Sequence, residues 1–134
     1  MREKEDTMER TTVPSDRAWS KVGYSRAIRV GNVIEVAGTT ASGPDGAIIA
    51  PGDMYEQTKY VIGVIGDAVE QLGGSVQDIV RTRAFLTDIS RWEEAGRAHG
   101  EVFGEILPAS AFVGVNELLH PDLLIEVEAT AIVG

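Results

Sequence analysis

Two short β-branched, apolar runs, Ala27–Val30 and Val33–Ala37, flank Gly31-Asn32, and this pattern predicts a β-hairpin with a two-residue turn. Ahead of it, Thr11-Thr12-Val13 reads as a short edge strand closed by Pro14. After Gly43-Pro44-Asp45-Gly46 and Pro51-Gly52, both turn signals, apolar positions recur at Val61, Ile62, Ile65, Ala68, Val69 and Leu72. That spacing predicts a helix over 54–72, N-capped by Asp53 with Glu56 at the third position and ended by Gly73-Gly74. Gly63 and Gly66 each cost roughly 1 kcal/mol in a helix interior, which suggests that the sheet packs closely against them. Ile79–Thr87 reads as a strand, and Ser90 with Glu93 as the capping box of a second helix, Arg91 to about Glu105. Trp92, Ala95, His99, Val102, Phe103 and Ile106 form its apolar stripe, and Pro108 prevents continuation. Ala111–Val115 and Leu123–Val133 are the final strands.

The order ββαβαββ, with helix-length crossovers, predicts an α+β domain whose sheet is covered by helices on one face. Period-two alternation divides the strands accordingly. Ile125, Val127, Ala129 and Ala131 share one face with Val80, Thr82, Ala84, Leu86, Ile34 and Val36. The other face mixes Glu35, Arg81, Arg83, Glu126 and Glu128 with Val33, Phe85 and Leu124. Such a face is either solvated or meets partner subunits with its charges paired.

The 134 residues suit one domain, here 10–134, and residues 1–9 read as a flexible, charged leader without the apolar region of a signal peptide. Met8 is a second candidate start. A net charge of −9 with scattered basic residues argues against a nucleic-acid partner. No run approaches the ~20 apolar residues of a membrane span, so no membrane partner is expected and the expected location is cytoplasmic. The chain has no cysteine, which removes thiol nucleophiles and thiolate metal sites.

His99 and His120 lie in different elements without metal-ligand spacing. His99 falls mid-stripe and reads as a packed, hydrogen-bonded histidine, while His120 precedes Pro121 in an exposed loop. Gly-rich nucleotide motifs and a nucleophile elbow are absent from the sequence. The chemistry therefore has to come from carboxylates, arginines and backbone donors.

Five segments carry a family resemblance: Gly23-Tyr24-Ser25-Arg26-Ala27, Val30-Gly31-Asn32, Phe85-Leu86-Thr87-Asp88, Pro108-Ala109-Ser110-Ala111-Phe112 and Leu124–Ala129. From about Arg10 to Val133 the chain resembles the Rid (YjgF) family of enamine and imine deaminases. The resemblance implies a chorismate-mutase-like fold, a homotrimer with inward-facing sheets, and small-molecule clefts between subunits, with neither metal nor cofactor. It also implies Glu126 as the proton-handling group, with Tyr24 and Gly38 lining the cleft.

The chain departs from the family pattern at Ser110, where deaminating members place a carboxylate-binding arginine. Ala37 stands for a serine, and Phe112-Val113-Gly114-Val115 replaces Thr-Val-Glu-Val. Losing one partner of a buried charge pair costs roughly 2–5 kcal/mol, and a serine hydroxyl cannot replace a guanidinium fork. Either Arg81 or Arg83 supplies a substitute cation beside Phe85, or both neutralise Glu126 and Glu128. The expected activity is hydrolytic deamination of an enamine or imine with altered specificity. The alternatives are a non-catalytic ligand-binding trimer and the ribonuclease activity sometimes ascribed to this family, which the net charge opposes.

Overall fold

A computed structural model describes residues 9–134, so the expected leader lies almost wholly outside the described residues. The strands are β1 (Arg10–Pro14), β2 (Ser25–Val30), β3 (Val33–Thr40), β4 (Ile79–Leu86), β5 (Ala109–Gly114) and β6 (Ile125–Ile132). The helices are α1 (Met54–Gln71) and α2 (Trp92–Phe103). The six strands form one sheet in the order β1-β2-β3-β6-β4-β5. All neighbours are antiparallel except β4 and β5, which run parallel because α2 carries the chain back between them. The expected α+β architecture is present, with the β1 edge strand as a full additional member of the sheet.

The hairpin turn places Gly31 at φ 61°, the pattern of a type II′ turn with glycine first. Asp53 caps α1 by accepting the Glu56 N–H at 3.0 Å. At the other end Gly73 adopts φ 86° and Gly74 N–H donates to Val69 O. Arg29 Nη1 donates to the last carbonyl, Leu72 O, at 2.7 Å, tying α1 to β2. The core between helices and sheet holds Ile34, Val36, Val61, Ile65, Val69, Leu86, Ile125, Val127 and Ala131.

Several details differ from the sequence reading. Val80 is 43% exposed and Ile79 is buried instead, because a bulge places Val80 outside the ladder between the pairs Ile79–Ala131 and Arg81–Thr130. Trp92 is 53% exposed, and Ala98 takes its place on the buried side of α2. The capping box at Ser90 does not form: Asp88 accepts the Ser90 N–H and caps a short 3-10 turn that runs into α2. A Cβ at Gly66 would meet Val76 rather than the sheet, and the space at Gly63 is open. α2 ends at Phe103, and β5 starts at Ala109, earlier than alternation suggested.

Candidate functional site

The end of the sheet where β2, β3 and β6 meet is irregular, and that irregularity builds the site. Between the pairs Val36–Ala129 and Thr39–Val127, two residues of β3, Ala37 and Gly38, oppose only Glu128. This bulge turns the Gly38 backbone toward Glu126. A Cβ on Gly38 would overlap Glu126 Oε2, so the carboxyl lies against bare main chain. On its other side Glu126 is in register with Phe85 of β4.

Gln57 fixes the approach to β6. Its side chain is fully buried in α1. It donates to Asp122 O at 2.9 Å and accepts from Leu124 N–H at 2.8 Å, immediately ahead of the strand. The chain is therefore fixed just ahead of Glu126.

Burial raises the Glu126 pKa above the ordinary carboxylate range, and Glu128 pushes it the same way, while Arg26 opposes them. Arg26 is the residue that sequence reasoning missed. It is only 6% exposed, and its Nη2 donates to Gly38 O at 2.6 Å. Its guanidinium carbon stands 5.7 Å from the Tyr24 ring centroid. The Tyr24 hydroxyl in turn accepts from Ser15 Oγ at 2.8 Å. The available signal was a charged residue inside a strand segment, next to the core residue Ala27; without the bulge its partner was not evident.

The structure thus sets Gly38 and Phe85 beside Glu126 and links Tyr24 to them through Arg26. Arg83 is drawn elsewhere. It pairs with Glu128, its cross-strand neighbour, so the neutralising alternative holds for Arg83, though toward Glu128 alone. Ala37, Arg81, Arg83 and Glu128 line a 510 Å3 depression on the helix-free face, together with Glu35 and Thr130.

Ser110 does not join Glu126 within the chain. Its Oγ lies 2.7 Å from Thr82 Oγ1, and that hydroxyl lies 2.8 Å from His99 Nε2. Thr82 is buried on the helix-facing side, whereas Phe85 and Glu126 belong to the opposite face. His99 also packs on Phe103 and Phe112, with centroids 4.6 and 5.5 Å away, and burial lowers its pKa. It is the packed, hydrogen-bonded histidine the sequence suggested. His120 is exposed and accepts the Asp122 N–H through Nδ1. No cluster of three metal-ligating side chains occurs among the described residues. No helix among them is long and apolar enough to cross a membrane.

The fold has counterparts among known proteins. The family model described as endoribonuclease L-PSP matches residues 15–133. A solved structure from Mycobacterium tuberculosis, described as a member of the YjgF/YER057c/UK114 family, superposes with a TM-score of 0.84 at 44% identity, covering 93% of this chain and all of that one. The chain belongs to the YjgF family. Within the family it is 38% identical over 125 residues to a RutC family protein of Pyrococcus abyssi, covering 92% of this chain and 98% of the relative. It is 30% identical over 108 residues to the 3-aminoacrylate deaminase RutC of Acinetobacter baylyi, covering 81% of this chain and 85% of that protein. The YjgF protein of E. coli superposes with a TM-score of 0.78 at 28% identity, covering 91% of this chain and 98% of that one.

Proposed function

We propose that this YjgF-family protein hydrolyses the C=N bond of an enamine or imine in clefts of a homotrimer, with a substrate other than the simplest 2-imino acids. The observation that carries the reading is the Glu126 carboxyl, packed on the Gly38 main chain and held above its ordinary pKa by burial. Such a group exchanges protons with substrate more readily than an exposed carboxylate does. Glu126 takes a proton from water as the water oxygen bonds to the imine carbon. It returns that proton to nitrogen, giving a carbinolamine, and then carries the hydroxyl proton to the same nitrogen as the C=O bond forms, so that the C–N bond breaks and ammonia leaves a carbonyl product. An enamine enters the same course after protonation at carbon.

Tyr24 and Phe85 wall the site, and Arg26 acts as a positioning residue by holding the Gly38 carbonyl. Ser110 offers no carboxylate fork, which is why small 2-imino acids should be held weakly. Support for deamination also comes from the relative named 3-aminoacrylate deaminase. The helix-free face, with the Arg83–Glu128 pair and a partly buried Phe85, suits contact with partner subunits. The family model's endoribonuclease description is not carried over, because a net charge of −9 repels a phosphate backbone.

The test is ammonia release from a panel of enamines and imines generated in solution, with RNA cleavage measured in parallel. Release above the spontaneous rate supports the reading. Ligand binding without release would make the protein a binding module, and salt-sensitive RNA cleavage would restore the nuclease reading.

A further inference from the structure

A second cavity, of about 330 Å3, lies outside the depression on the helix-free face and shares Arg26 with the Glu126 site. It is enclosed by the segment after β1, the start of β2 and the exposed side of α1. Asp16, Arg17, Arg26, Tyr60, Asp67 and Gln71 supply its polar groups, and Val13, Val64 and Ala68 its apolar wall. We propose that this cavity is a binding site for a small amino acid, its carboxylate held by the Arg17–Arg26 pair and its ammonium by Asp67.

Two arginines, each only 6% exposed, stand in one wall. Burying a guanidinium costs several kcal/mol unless it is paired and hydrogen-bonded. Arg17 pairs with Asp16, its chain neighbour, which is largely exposed. Arg26 has no salt bridge among the described residues, and its Nε is buried there without a hydrogen-bond partner. Its Nη2 is satisfied only by a neutral carbonyl. Burial and the charge of Arg17 push the Arg26 pKa down against the opposing effects of Tyr24, Glu126 and Asp16, and an anion in the cavity would add to the opposing side.

A carboxylate matches a guanidinium in shape as well as charge. Asp67 lies on the exposed face of α1 and lines the same cavity, opposite in sign to the arginines. A ligand with both charges therefore fits better than a keto acid, an amine or phosphate. The cavity is large enough for an amino acid with a short side chain. Binding here does not require the deaminase chemistry.

Isothermal titration of the full chain with alanine, pyruvate, propylamine and inorganic phosphate tests the proposal, with backbone amide shifts mapping the site. Alanine should bind saturably at millimolar concentration and outperform the other three. The shifts should concentrate at 13–17 and 60–71. Val64→Phe fills the cavity without touching either arginine and should weaken binding about tenfold or more. Absence of saturable binding, or shifts centred on Phe85 and Glu128 with none at 13–17 and 60–71, would overturn the proposal, and the mapping needs no variant to fold. Equal binding of alanine and pyruvate would overturn the role of Asp67.

Discussion

Glu126 Oε2 fills the space that a side chain on Gly38 would need. The carboxyl of β6 and the glycine of the β3 bulge therefore form one unit. Gly38→Ala should drive the carboxyl away from the main chain, at an overpacking cost of roughly 1–3 kcal/mol. Activity should fall more than the loss of folded protein explains. Chemical denaturation and turnover, measured on the same preparation, check both parts.

The raised pKa of Glu126 predicts a distinctive pH dependence. The folded state holds this proton to higher pH than the unfolded chain does, so ionisation costs stability. That cost is absent below the unfolded carboxylate pKa and grows as pH rises through the folded one. Glu126→Gln has no such cost. Its melting temperature relative to the parent should rise over that window and then level off. Calorimetry from about pH 4 to 8 reads the difference directly.

The sequence made the layered architecture legible because alternation in β3 and β6 and helical periodicity in α1 agree with the final packing. The bulges were not legible. One residue inserted at Val80 exchanges the buried position with Ile79, and periodicity carries no mark of it. The site was half visible. Glu126, Tyr24 and Gly38 come from the resemblance; the structure sets Glu126 against Gly38 and links Tyr24 to them through Arg26. Arg26 was hidden because its role depends on the carbonyl direction within the same bulge. Ser110 was identified as the decisive departure, but its hydroxyl turns to Thr82 on the helix side.

That orientation shapes the expectation for Ser110→Arg. Losing the bond to Thr82 should cost about 0.5–1.5 kcal/mol, since Ser110 is exposed on an edge strand. If the new fork reaches the cleft, hydrolysis of 2-iminobutanoate should rise on the order of tenfold over the parent's slow rate. Loss of imine signal with both proteins measures this. An unchanged rate would mean that the arginine stays on the α2 side.

The charged, helix-free face predicts assembly. Sedimentation equilibrium at micromolar concentration should give three times the 14.4 kDa chain mass. Reversing Arg83 to Glu places like charges opposite Glu128 and should shift the protein toward monomer. A single species of chain mass in the parent protein would remove the inter-subunit cleft from the account.

The central claim is that the Glu126 carboxyl handles the proton in C=N hydrolysis. The most direct measurement compares ammonia release by the parent protein and Glu126→Gln on the best substrate of the enamine and imine panel. The account predicts release above the spontaneous rate by the parent. It predicts a loss of roughly 100-fold or more in the variant, the range expected for removing a general acid–base group, with secondary structure and assembly unchanged. Equal rates for the two proteins, or no release by the parent on any member of the panel, would contradict it.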